Sequence, residues 1–194
     1  MKIIFATNNA HKLAEAREIL GPGYELATPR ECGITEDIPE TSPTIRGNAL
    51  QKARYIHSRT GLDCFADDTG LEVDALGGEP GVRSARYATE GHDFAANTSL
   101  LLHNMQGVKE RSARFRTVVA LILDGEEHTF EGIVEGRIAE TPAGCGGFGY
   151  DPVFIPEERD CTFAEMSPAD KNAISHRGRA MAALNAFLSE RNGR

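Results

Sequence analysis

Lys2-Ile3-Ile4-Phe5-Ala6-Thr7-Asn8-Asn9-Ala10-His11-Lys12-Leu13 opens the chain as a short apolar, β-rich run that breaks at once into a helix start. The run Lys2–Ala6 reads as a buried strand. Asn9 then caps a helix to about Leu20, with Leu13, Ala16 and Leu20 on one face, and Gly21-Pro22-Gly23 ends it. Tyr24–Ala27 predicts a second strand, followed by a polar, acid-rich stretch from Thr28 to Glu40.

The same alternation continues downstream. Ser42-Pro43 reads as a helix start, with Ile45, Ala49, Ala53 and Ile56 at helical spacing up to Gly61. Cys64-Phe65-Ala66 predicts a short buried strand that delivers Asp67-Asp68 at its C-terminal end, with a further strand over Leu71–Ala75. After a Gly77–Gly81 loop and a helix over Phe94–Met105, two β-rich runs, Ala113–Leu123 and His128–Ala139, meet at the hairpin signal Asp124-Gly125. A glycine-rich loop, the strand Val153-Phe154-Ile155 and a helix over Ile174–Ser189, with Ala180, Leu184, Phe187 and Leu188 inward, complete the chain. This order predicts an α/β protein with a mixed β-sheet flanked by helices, in a single domain over residues 1–194.

Composition narrows the function classes. A net charge of −8 argues against broad binding to nucleic acid or an anionic membrane, and no apolar run is long enough to span a bilayer. The four cysteines form no CxxC pair, so they carry no zinc signal, and the expected location is cytoplasmic.

Four clusters carry candidate chemistry. Thr7-Asn8-Asn9-Ala10-His11-Lys12 sits at a strand-to-helix junction, where backbone N–H groups and the helix dipole favour a phosphate; an ordinary helix cap with a surface lysine is the plainer reading. Asp67-Asp68-Thr69-Gly70 offers hard oxygen ligands suited to Mg²⁺, or else a solvated turn. Gly144-Cys145-Gly146-Gly147-Phe148-Gly149-Tyr150-Asp151-Pro152 contains a literal GxGxxG, yet a β-rich run follows instead of the helix that a dinucleotide site needs. A flexible backbone beside Phe148 and Tyr150 suits nucleobase stacking, with Asp151 accepting from a base edge; a glycine-rich turn with two core aromatics is the alternative. Lys171, His176 and Arg177 could grip phosphates or a base carbonyl, or form a solvated helix face.

Taken together, these clusters resemble the inosine triphosphate pyrophosphatase family. The likeness rests on Thr7–Lys12, Phe65–Leu71, Pro80–Tyr87, Gly147–Pro152 and Ser175–Gly178, and so spans essentially the whole chain. It implies an elongated α/β fold with two lobes and a central substrate cleft, a homodimer, and Mg²⁺-dependent cleavage between the α- and β-phosphates of ITP, dITP and XTP. By position, the resemblance makes Asp68 the proton acceptor and a metal ligand, with Glu40 a second acidic metal residue; Asp67 could complete the metal site or orient the attacking water. Thr7 to Lys12, Thr69 and Lys171 would contact substrate, and Phe148, Gly149, Tyr150 and Asp151 with His176 and Arg177 would form the base pocket. Asn8 stands where many relatives have glycine, and His11 has no assigned role. Donors on His176 or Arg177 aimed at O6 would favour a 6-keto purine over adenine. The rival expectations are a pyrophosphatase for modified pyrimidine nucleotides and a nucleotide-binding module without catalysis.

Overall fold

The computed structural model describes residues 2–192. Strand β1 (Lys2–Phe5) leads into helix α1 (Ala10–Leu20), whose N-cap is Asn9, as its sequence predicts. Strand β2 (Glu25–Ala27) returns parallel to β1, and helix α2 covers Ile45–Thr60. Next come β3 (Cys64–Val73), β4 (Pro80–Gly81), α3 (Phe94–Asn104), β5 (Ser112–Leu123) and β6 (Glu126–Ile138). Strand β7 (Phe154–Pro156) and helices α4 (Pro168–Ile174) and α5 (His176–Asn192) follow. The sheet runs β2-β1-β3-β5-β6-β7, with β4 paired to β3. It is mixed: β1 pairs parallel with β2 and β3, whereas β4 and β7 pair antiparallel with β3 and β6. Asp124 and Gly125, which join β5 to β6, both take positive φ (52° and 81°), as a mirror-image hairpin turn requires.

Three expectations need correction. The strand at Cys64 does not stop before the acids but runs unbroken to Val73, so Asp67 and Asp68 lie in mid-strand. Pairing explains this: both carboxylates meet buried cations, and neither needs the solvent of a turn. Helix α2 starts at Ile45 with Thr44 as its cap, because Thr44 Oγ1 accepts from Gly47 N while Ser42 N donates to Asn48 Oδ1. The last helical stretch is two helices, with Ser175 extended between α4 and α5 (ψ 158°).

The chain divides into two compact units, each assembled from separated segments. The first comprises 1–68, 117–132 and 177–194, and its core joins Ile3, Phe5 and Phe65 to Ala16 of α1 and Met181, Leu184 and Leu188 of α5. Phe5 and Phe65 stack with centroids 4.4 Å apart. The second comprises 69–116 and 133–176, with a core around Leu71, Leu101, Phe115, Tyr150, Phe154 and Phe163. Among the described residues, no helix is long and apolar enough to cross a membrane.

Candidate active site

Successive side chains of a strand point to opposite faces, and this separates Asp67 from Asp68. Phe65 and Asp67 share the face packed by α1 and α5. Cys64, Ala66 and Asp68 share the other, where Cys64 Sγ donates to Ala53 O of α2.

On the α1/α5 face, Asp67 is 1 % exposed. Lys12 Nζ donates to its Oδ1 at 3.0 Å and Arg177 Nε to its Oδ2 at 3.1 Å. Burial alone would raise this carboxyl, but the Lys12 and Arg177 cations prevail and hold it well below the usual carboxylate range. Arg177, 2 % exposed, also bonds Glu15 Oε2 at 2.5 Å.

On the α2 face, Asp68 accepts from Lys52 Nζ and from Asn48 Nδ2, each at 3.4 Å. Lys52 Nζ also bonds Glu40 Oε1 at 2.5 Å, so one ammonium lies beside both expected metal carboxylates. Burial raises the Asp68 carboxyl, Glu40 and Asp67 add to that rise, and the ammonium groups of Lys52 and Lys12 offset only part of it. The pair is thus split into a deeply ionised Asp67 and an Asp68 whose proton affinity is increased.

Glu40 is carried by an irregular strap that docks along α2. Thr41 N donates to Gln51 Oε1 and Gln51 Nε2 to Thr41 Oγ1, both at 2.9 Å, and Ser42 N donates to Asn48 Oδ1 at 2.8 Å. Gly47 makes this close approach possible, since a Cβ there would overlap Ser42 Oγ. Lys52 and Asn48, 5 % and 3 % exposed, escaped the sequence reading. A signal was present: Lys52 follows Ile45 and Ala49 at helical spacing, so a charge stands on the apolar stripe of α2.

These carboxylates fit Mg²⁺. The cation takes oxygen ligands and is commonly held by one or two carboxylates with substrate phosphates and water completing its shell. Glu40 and Asp68 supply two such groups, both partly accessible, with side-chain exposures of 26 % and 12 %. No group of three or more His, Cys, Asp or Glu side chains forms a protein-only cage among the described residues. Asp67, with each oxygen on a buried cation, is committed elsewhere.

The expected phosphate loop is partly self-satisfied. Asn9 Oδ1 accepts from His11 N and Lys12 N, and Thr7 Oγ1 accepts from Asn9 N. Asn8, Ala10 and His11 are exposed.

In the second unit the glycine-rich loop is tightly fitted, contrary to the expected flexible backbone. Gly146 N donates to Ala164 O at 2.9 Å, and a Cβ on Gly144 would strike the Ala164 backbone. Gly147 has φ 68°, and a Cβ there would overlap the Asp151 carboxylate. Asp151 Oδ2 accepts from Phe148 N and Lys171 Nζ, both at 2.8 Å, and the Lys171 ammonium lies 5.1 Å from the Phe148 ring centroid. The Tyr150 hydroxyl donates to Ser84 O at 2.8 Å in the interior, which anchors the loop. A short 3-10 turn over Asp151–Val153 and then β7 follow the glycines, so the helix of a dinucleotide site is absent there.

The expected basic cluster is spread over both units. Thr69 stands at the start of the second unit's β3 segment, and His176 stacks on Phe115 with centroids 4.5 Å apart in that unit. Arg177 belongs to the first unit, where it bonds Asp67 and Glu15.

This mixed α/β fold is shared with solved proteins. A Staphylococcus aureus Ham1 protein superposes with a TM-score of 0.90 at 38 % identity, covering 98 % of this chain and 100 % of that one. A Mycobacterium abscessus structure described as a nucleoside-triphosphatase and dITP/XTP pyrophosphatase gives a TM-score of 0.77 at 48 % identity, covering 95 % and 98 %. A dITP/XTP pyrophosphatase of Porphyromonas gingivalis is 56 % identical over 188 residues, 96 % of this chain and 97 % of that one. The Ham1 family model matches residues 3–187, and the chain belongs to the Ham1 family.

Proposed function

We propose that the chain hydrolyses nonstandard purine nucleoside triphosphates, ITP, dITP and XTP, to the nucleoside monophosphate and pyrophosphate. The observation that carries this reading is the buried acidic cluster in which Asp68 and Glu40 meet the same Lys52 ammonium. The full-length likeness to proteins named dITP/XTP pyrophosphatase supports the substrate class.

In the proposed reaction Asp68 takes a proton from water as its oxygen bonds the α-phosphorus. The bridging Pα–O bond breaks and pyrophosphate leaves with that electron pair. A base of raised pKa suits this role, because proton transfer is most efficient when donor and acceptor are closely matched. Lys12 and Lys52 offer positive charge to the phosphates, each close pair worth about 4 kcal/mol at an effective dielectric near 20. Mg²⁺, held by Glu40 and Asp68, would further neutralise the phosphate oxygens when bound. In this reading Thr7, Asn8, Asn9, Ala10, His11 and Thr69 would contact the phosphates, and Phe148, Gly149, Asp151 and Lys171 the base. Asp67 orders Lys12 and Arg177.

The deciding experiment is a panel of ITP, dITP, XTP, ATP, GTP, dUTP and a methylated pyrimidine triphosphate, with pyrophosphate detection, run with Mg²⁺ and with EDTA. The reading expects turnover of the first three, loss in EDTA and recovery on adding Mg²⁺. Preference for dUTP or the methylated pyrimidine would overturn it. A homodimer in the cytoplasm completes the proposal, and light scattering after gel filtration checks the assembly.

A further inference from the structure

Phe94 is a large aromatic side chain at the first position of α3, directly after the Asp93 cap. It is half-buried and belongs to neither hydrophobic core, yet its ring centroid lies 6.0 Å from that of Phe148, with planes tilted by 42°. That is within the range of an attractive edge-to-face or offset pair. The Lys171 ammonium also lies near this ring, 5.1 Å from its centroid.

The rest of the same helical face grips the loop that carries Phe148. Asn97 is 1 % exposed; its Oδ1 accepts from Ala88 N at 2.8 Å and its amide donates to Ala85 O at 3.0 Å. This fixes the turn whose Ser84 carbonyl holds the Tyr150 hydroxyl. The Thr98 hydroxyl reaches Gly149 O at 3.4 Å. Positions 94, 97 and 98 have the i, i+3, i+4 spacing of one helix face. Asn97 and Thr98 therefore set where the loop backbone sits, and Phe94 touches the ring it presents.

We propose that Phe94 is a positioning residue for base recognition, setting the pose in which Phe148 meets the purine. The inference rests on the reading of Phe148 as the stacking residue. Phe94→Ala raises KM for ITP and XTP by about three- to tenfold, the scale of one aromatic pair, and leaves kcat within about twofold. Phe94→Tyr, which keeps the ring, restores KM. The Kd for inosine monophosphate, measured by calorimetry, weakens with Phe94→Ala in the same proportion. The double variant Phe94→Ala/Phe148→Ala has a KM no higher than Phe148→Ala alone, since Phe94 acts only through that ring.

An unchanged KM and Kd in Phe94→Ala, additive effects in the double variant, or no recovery with Phe94→Tyr overturns the inference. A KM unchanged by Phe148→Ala would instead overturn the stacking reading beneath it, so the two failures are distinguishable.

Discussion

Asp67 and Asp68 differ in charge behaviour because each meets different neighbours, and substitution should separate them. Asp68→Asn keeps the shape of the side chain and removes the proposed proton acceptor. Turnover is expected to fall by at least about 10²-fold with nucleotide binding largely kept, measured by pyrophosphate release and calorimetry. Asp67→Asn should act on stability, since it leaves Lys12 and Arg177 without their shared anion. Removing one partner of a buried pair costs about 3–5 kcal/mol, to be read from urea unfolding. The sign of the pH effect follows. The folded Asp67 pKa lies below its unfolded value, so its stabilisation is full above about pH 4 and is lost as pH falls through the folded pKa. The Asp67→Asn variant should therefore show a flatter loss of stability in acid. At this scale the sequence exposed the acids, Lys12 and Phe148 by motif. Asn48 stayed hidden because its bond to Asp68 comes from burial against β3, which no local motif encodes, whereas Lys52 was marked only by its place on the apolar stripe of α2.

The elements explain which boundaries were readable. Asn9, Gly61 and Asp124-Gly125 act through short-range chemistry, and the structure puts caps and a hairpin there. The stop expected after Ala66 failed because distant cations allow an acidic strand to continue through the interior. The break at Ser175 also escaped, since the residues on either side of it are compatible with a helix. The strap that carries Glu40 is a further tertiary feature, and it yields a test. Gln51→Ala removes both bonds to Thr41 and is expected to raise the Mg²⁺ concentration needed for half-maximal rate, with little change in Tm. Gly147→Ala should weaken the base loop, because positive φ and overlap with Asp151 oppose any Cβ; the expected result is a raised KM for every purine substrate.

For the whole molecule, thiol chemistry reports on integrity. Cys145 is exposed, whereas Cys64 is buried and its thiol is pushed up to about 12 by that burial. Maleimide at neutral pH should modify Cys145 readily and Cys64 only on unfolding, as mass spectrometry of the labelled peptides would show. Because the folded pKa is the higher one, Cys64 contributes stability fully below about pH 8.5 and loses it as pH rises toward 12. The α/β class followed from the order of strands and helices. The assembly of each compact unit from separated segments did not, since β3, β5 and β6 each contribute residues to both. The alternation of β3 also bears on genetic rescue. A carboxylate at position 67 cannot replace a lost Asp68, although it is the nearest in sequence, because the strand turns it to the other face. Suppressors of Asp68→Asn should arise instead on α2, where Asn48→Asp would restore an acid beside the vacated position. Which residue can stand in for another is decided here by the face of the strand and not by distance along the sequence.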